Sequence, residues 1–219
     1  MQNLGLDQDF HLGVIVALVK ISTMKKVRCE ELIDDLQAEV RQLITDASFL
    51  KATDPGMLLQ QPAPGKWSVI EIIEHLNSYD RYYLLAIERS LKSKKLAKIF
   101  FTPGWLGDYF TRMMKPAEDG SISNKMQSPR DHRPPPHLDA FPVLSSFIDQ
   151  QHYLLDLLDQ ARTKDISSIR TPISLSRFIR LKLGDTFRFL VAHKQRHFVQ
   201  IKNTLATIKD KFPASLQAM

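Results

Sequence analysis

The sequence contains a single cysteine, Cys29, in 219 residues. One thiol excludes an intramolecular disulfide and any zinc site built from several cysteines. A metal site in this chain must therefore use histidine and carboxylate ligands. The scarcity of cysteine is also typical of a reducing compartment, so we expect a cytoplasmic protein.

Long apolar segments are lacking as well. The longest, Leu12 to Val19, falls far below the roughly 18 residues that a membrane-spanning helix needs. Asp7 and Asp9 stand where a signal peptide carries basic residues, so we predict neither a membrane anchor nor a secretory leader. We expect residues 1–23 to be a helical N-terminal extension packed on the domain, unless translation starts at Met24.

The chain has little organised charge, although its net charge is +6. A nucleic-acid surface would interleave basic residues with exposed aromatics on one element, and the sequence has no such arrangement. We interpret the basic clusters as solvated surface with a mild preference for anionic ligands, and expect neither nucleic acid nor a membrane as partner. The clusters are Lys92, Lys94, Lys95 and Lys98, and Arg177, Arg180, Lys182 and Arg188.

Helical periodicity is the feature that dominates the sequence. Apolar residues recur at steps of three and four in four segments, which predicts four amphipathic helices and an all-α four-helix bundle. The composition, with 43% hydrophobic residues, is ordinary for one globular domain. We place the helices at about residues 25–51, 69–91, 140–161 and 185–209, the domain at 24–211 and a C-terminal tail at 212–219.

The second helix has a clear start. Ser68 is a candidate N-cap, and Glu71 follows three residues later, which is the pattern of a capping box. Trp67 and Ile72 are spaced to form the accompanying hydrophobic staple. The helix is followed by a proline-rich connector over residues 93–137, whose length is typical of a lid or a binding loop.

Smaller features punctuate the connections. A short helix is expected near residues 105–114, and Phe101 and Trp105 are candidates for folding the connector over the mouth of the bundle. Asp54-Pro55-Gly56 is expected to end the first helix. Residues 173–175 have the composition of a briefly extended segment, and no strand-rich region is predicted.

Two histidines interrupt the apolar stripe of the fourth helix. His193 and His197 lie one turn apart on the face that Leu190 and Ile201 define, so they can share one metal ion. His75 also points inward from the second helix. Burying three imidazoles without partners is costly, which favours a shared cation. Spacing alone leaves packed core histidines as the alternative.

Two segments carry a family resemblance. Residues 66–68, which read Lys-Trp-Ser, together with Glu71 and the His75-Leu76 pair, resemble the start of the second helix in the DinB-like (YfiT-like) metalloenzyme family. The Leu-Gly-Asp of 183–185 and the segment 192–201, with the pattern aH-x-x-x-H-x-x-QI, are similar to the last helix of that family. The resemblance extends over roughly residues 25–209.

The resemblance implies an up-down-down-up bundle that holds a divalent metal, most often nickel or zinc, on His75, His193 and His197. The 93–137 connector agrees, because parallel second and third helices need a crossover that returns along the bundle. Characterised members imply thiol-dependent S-transferases that use a low-molecular-weight thiol as cosubstrate, and related isomerases or hydrolases.

Other side chains are candidates for supporting roles, although no catalytic residue can be named. Glu71 or Gln200 would accept the second ring N–H of a ligand histidine, with the capping box as the preferred role of Glu71. Tyr79 and Asp80 would line the pocket, and core packing is the alternative for Tyr79. We expect His152 at the surface or in ordinary core packing. His11, His132 and His137 are expected to be solvated.

Three functional hypotheses follow from these residues. The leading one is a metal-dependent enzyme acting on a small-molecule substrate. The second is a non-catalytic metal-binding or stress-response module of the same fold, and the third is nucleic-acid binding through the basic clusters. Homodimerisation through a bundle face or the N-terminal helix is compatible with the sequence.

Overall fold

The structure is a computed structural model, and it describes residues 25–117, 127–174 and 176–211. The predicted N-terminal helix and the C-terminal tail lie outside the described residues. Within the described ranges, no helix combines the length and the hydropathy that crossing a membrane would require.

Four long helices form the bundle. They are α1 (Cys29–Lys51), α3 (Val69–Leu91), α5 (Ala140–Ala161) and α6 (Leu183–Lys211), with the shorter α2 (Pro55–Leu59) and α4 (Trp105–Met114) in the connections. The predicted all-α bundle is confirmed. Helix α1 ends at Lys51, just before the Asp54-Pro55-Gly56 segment that was expected to end it. Asp54 is the N-cap of α2, because its carboxylate accepts the N–H of Met57 at 2.9 Å.

Backbone contacts between helix ends define the topology. The segment after α3 forms backbone hydrogen bonds with the start of α1 and with the turn after α5. The turn after α5 also forms a backbone hydrogen bond with the start of α6. Since α1 and α6 begin where α3 and α5 end, the helices run up, down, down and up. The bonds are Cys29 N–H to Ile99 O (2.9 Å), Asp165 N–H to Lys95 O (3.0 Å) and Gly184 N–H to Ile166 O (3.0 Å).

The core is formed by the apolar stripes that the periodicity predicts. Helix α5 packs against α1 and α3, and α6 packs against the same two helices from the other side. Ile33, Val40, Ile87, Leu154 and Leu190 are among the fully buried side chains of the larger core cluster. Burial of such aliphatic side chains contributes about 1.5–3 kcal/mol each, which makes this core the main source of stability.

Two small antiparallel sheets are additions that the sequence analysis did not predict. Strand β1 (Val27–Arg28) pairs with β2 (Phe100–Phe101), so α1 starts at Cys29 and not at residue 25. Strands β3 (Arg170–Ile173) and β4 (Ser176–Lys182) form a hairpin before α6. The brief extended segment that was expected near residue 173 is thus one part of a longer hairpin.

The connector between α3 and α5 is anchored on the start of α6. The Gly104 N–H donates to Asp185 Oδ2 at 2.7 Å, and Arg188 joins Asp185 to Asp108 of α4 through two ion pairs of 3.0 and 2.9 Å. A Cβ atom on Gly107 would lie 2.4 Å from the Asp185 side chain, so only glycine permits this approach. The Leu-Gly-Asp segment of the sequence is therefore a docking point for the connector.

Candidate metal centre

Three histidines from two neighbouring helices meet inside the bundle. His75 lies on α3, and His193 and His197 lie one turn apart on α6. Ring nitrogens of the three residues lie within 4.8 Å of one another, and the Nε2 atoms of His193 and His197 are 3.1 Å apart. Nitrogen ligands that share a tetrahedral ion at about 2.1 Å lie about 3.4 Å from each other. The cluster therefore has dimensions that suit a shared ion.

The protonation of His75 is set by the connector. Its Nδ1 lies 2.7 Å from the backbone carbonyl oxygen of His132, and because a carbonyl only accepts, Nδ1 must donate. The Ser128 hydroxyl lies 3.3 Å from the same nitrogen. In a neutral imidazole this arrangement leaves Nε2 with a free lone pair, which is the form that a metal needs.

Gln200 sets the protonation of His197 in the same way. The Nδ1 atom of His197 lies 2.8 Å from Gln200 Oε1, one turn along α6, so Nδ1 donates and Nε2 again carries a lone pair. The one ring proton of His193 can be donated to the Nε2 of His197, 3.1 Å away, and the Nε2 of His75 in the same cluster then has no donor among the described residues. A shared cation would satisfy all three nitrogens, so the residues present fit a divalent metal.

Burial keeps the three imidazoles neutral. Desolvation lowers the pKa of His75 to about 4, against the opposing effect of its bond to His132. Desolvation also lowers the pKa of His197 to about 3 and that of His193 well below its usual value, with neighbouring imidazoles adding to both shifts. All three rings are therefore in the metal-binding form at neutral pH.

Aromatic side chains wall the cluster and restrict water. The ring centroids of Trp67 and Tyr79 both lie 5.0 Å from His75, and Phe189 stacks on His193 at 6.0 Å. Burial raises the pKa of the Tyr79 phenol, which therefore stays protonated. His197 is half-buried, whereas His75 and His193 are buried.

The expectation that His132 is solvated is wrong. His132 is 8% exposed and ends a short 3₁₀ turn, Arg130–His132, that lies against α3. Its ring stacks on Tyr79 at 3.8 Å, and its Nδ1 is 3.0 Å from the Ser78 hydroxyl. The His132 carbonyl accepts from His75, 57 residues earlier in the chain, so no local pattern marked this contact.

The other candidate residues, Glu71 and Asp80, have partners outside the histidine cluster. Glu71 and Ser68 form the predicted capping box, with the Ser68 N–H donating to the Glu71 carboxylate at 2.7 Å. Asp80 is fully buried and pairs with Lys194 Nζ at 2.8 Å, a partner that the sequence analysis missed. Among the described residues, Tyr79 and Gln200 contact the histidine cluster directly.

The other connector residues and histidines divide between surface and core. His137 and His152 are exposed, as expected, and His11 lies outside the described residues. Phe101 is fully buried against Gly184, and Trp105 is 56% exposed. The connector thus reaches the cluster through residues 128–132, and not through the aromatic pair that the sequence suggested.

Comparison with known proteins gives one match. The family model described as the DinB superfamily matches residues 39–201, a span that includes all three clustered histidines. No curated protein and no solved structure matches the chain.

Proposed function

The chain belongs to the DinB superfamily, and from this premise we propose that it is a metal-dependent enzyme whose divalent ion, nickel or zinc, is held by His75, His193 and His197. The observation that carries the proposal is the convergence of three neutral imidazoles, two buried and one half-buried, with two Nδ1 atoms already held by hydrogen bonds. Imidazole donors suit both of these metals.

Three protein ligands leave room for a further one, as in catalytic zinc sites. When bound, the ion would supply Lewis-acid activation of a thiol or water nucleophile at neutral pH. The residues of this chain orient the ligands and exclude water. The His132 carbonyl and Gln200 orient two of the imidazoles, and Trp67 and Tyr79 exclude water from the buried side.

We infer thiol-dependent S-transfer as the leading reaction, with a low-molecular-weight thiol as cosubstrate and hydrolysis as the second candidate. The thiol reaction is supported by the family resemblance and by the three imidazole donors, which leave a coordination position for a thiol. A cytoplasmic location, with its reduced thiol pool, is part of the same proposal. Homodimerisation remains a separate prediction.

The test combines metal analysis with a thiol titration. Protein purified without an affinity tag should contain about one equivalent of metal per chain. Loading it with cobalt or nickel and adding glutathione or cysteine should produce new sulfur-to-metal absorption bands. The sulfur of the same thiols should then replace the chlorine of an electrophile such as 1-chloro-2,4-dinitrobenzene, with release of chloride and of the thiol proton.

The alternative, a non-catalytic metal-binding or stress-response module, gives a different result. It predicts stoichiometric metal, no spectral response to any thiol and no turnover. A metal-free protein that binds no added nickel, zinc or cobalt would contradict both hypotheses.

Gln200 provides a further prediction. The Gln200→Ala variant should bind zinc about 10–100-fold more weakly, because outer partners that orient a ligand histidine typically contribute that much. Gln200→Glu retains an acceptor oxygen and should restore most of the affinity, measured by competition with a chromophoric chelator. Gln42→Ala, an exposed glutamine on α1, is the matched control and should match the wild-type protein. An unchanged affinity in Gln200→Ala would show that His197 needs no orienting partner.

A further inference from the structure

A second surface lies at the end of the bundle where α3 and α5 end. Residues 92–100, which we call the 92–100 segment, contain four lysines and no acidic residue. Every residue from Lys94 to Phe100 is exposed. Leu96 is 78% exposed, Ile99 67% and Phe100 42%, so three large apolar side chains face water within five residues. Single exposed apolar residues are ordinary, but a cluster of this kind marks an interaction surface.

The 92–100 segment is held in place by its backbone. Lys95 O accepts the N–H of Asp165 at 3.0 Å, the Ala97 N–H donates to Thr163 O at 3.1 Å, and Ile99 O accepts the N–H of Cys29 at 2.9 Å. The backbone of the segment thus forms hydrogen bonds with the rest of the fold, while its apolar side chains are exposed to solvent. These hydrogen bonds hold the segment in the conformation that exposes them.

Positive charge surrounds the exposed apolar side chains. A shallow groove beside the segment is lined by Lys26, Lys98 and Lys182. Lys26 Nζ lies 4.5 Å from the Phe100 ring centroid. Among the described residues, Lys98 has one acidic partner, Asp165 at 2.8 Å, and no ion pair reaches Lys92, Lys94 or Lys95.

We propose that the 92–100 segment docks the protein on an anionic phospholipid surface, with Leu96, Ile99 and Phe100 entering the headgroup boundary and the lysines contacting lipid phosphates. Lysine charges attract anionic headgroups, and exposed aliphatic side chains gain by leaving water at the interface. From the sequence we expected no membrane partner. The sequence shows the lysines, but it does not show that these three apolar side chains are exposed.

The chemistry of the patch disfavours the other occupants. A second copy of the chain, docked through the same patch, would bring two clusters of four lysines together, and Asp165 already pairs with Lys98 of its own chain. Nucleic acid would be bound by the lysines, but two of the three apolar side chains are aliphatic and cannot stack on bases.

The 92–100 segment also lies about 24 Å along α3 from His75, so it is separate from the metal centre.

The test is cosedimentation of the full chain with vesicles. We expect binding to vesicles of phosphatidylcholine mixed with phosphatidylglycerol, weakening with salt, and no binding to phosphatidylcholine alone. The Leu96→Ser/Ile99→Ser and Lys94→Gln/Lys95→Gln variants should each reduce partitioning at least about tenfold. The matched control is Lys51→Gln/Phe141→Ser, which removes an exposed lysine–phenylalanine pair at the opposite end of the bundle and should leave binding unchanged.

Three further measurements on the same variants distinguish the other occupants. Salt-sensitive binding to duplex DNA without vesicle binding would overturn the proposal in favour of a nucleic-acid surface. A drop in molar mass by light scattering in Leu96→Ser/Ile99→Ser would assign the patch to self-association. A lower melting temperature in that variant would mean that another part of the chain covers the patch. Lipid docking requires an unchanged mass and melting temperature, and absence of vesicle binding contradicts it.

Discussion

The Lys194→Met variant is expected to unfold with a free energy about 3–5 kcal/mol lower than that of the wild-type protein. Lys194 on α6 and Asp80 on α3 form an ion pair of 2.8 Å in which both side chains are fully buried. Burial lowers the pKa of Lys194, and Asp80 acts in the opposite direction. Removing the ammonium group leaves the carboxylate in the core with one partner among the described residues, Gln151, whose Nε2 donates to Asp80 Oδ2 at 2.8 Å.

Urea unfolding of the metal-free proteins measures this effect. The double variant Asp80→Leu/Lys194→Met should recover most of the lost stability, because a buried pair replaced by apolar side chains is often neutral. Glu31→Gln breaks the exposed pair between Arg28 and Glu31 and is the control, with an expected change below about 1 kcal/mol. Equal unfolding midpoints for Lys194→Met and wild-type protein would contradict a buried ion pair.

The pair also explains how the histidines are brought into register. Asp80 and Lys194 follow His75 and His193 on the same two helices, and Gln151 ties in α5. A buried charge has a low energy only opposite its partner, so sliding α3 along α6 by one turn would separate the two groups. The same slide would separate His75 from the α6 histidines. The ion pair thus selects the arrangement in which the three imidazoles meet.

The bundle was predictable because its signals are local. The capping box of Ser68 and Glu71 fixes the start of α3 within four consecutive residues, and helical periodicity fixes the buried face of each helix. His193 and His197 were identifiable because they interrupt an apolar stripe on one helix. We predicted that His75 joins them because it lies on the inward face of its helix and because of the family resemblance. In the structure the three rings lie together.

What sequence did not reveal depends on contacts between distant segments. The His132 carbonyl meets His75 only because the connector folds back over α3. Lys194 reads as a surface residue until Asp80 is known to face it. The β3–β4 hairpin is short, and its strand β4 carries basic residues that conceal the alternation of a half-buried strand. Neither the exposure of Leu96 nor that of Ile99 follows from periodicity, because neither lies on a helix.

The His193→Ala variant is expected to lose the high-affinity metal site. Structural zinc sites with four ligands bind with about 10–16 kcal/mol, so one ligand contributes about 3 kcal/mol and its loss weakens binding at least about 100-fold. The effect should be large here because His193 is one of the three clustered imidazoles and its side chain is buried. Its ring lies 5.3 Å from that of His75 and 4.6 Å from that of His197.

Competition with a chromophoric zinc chelator, together with metal content after dialysis, measures the loss in His193→Ala. His152→Ala removes an exposed imidazole on α5 and should retain wild-type affinity. His132→Ala is the sharper control, because it removes a buried ring but keeps the backbone carbonyl that accepts from His75. We expect its affinity to fall by less than about tenfold. If His132→Ala lost as much affinity as His193→Ala, the His132 ring itself would belong to the metal site; if neither lost any, the three clustered histidines would not hold the metal.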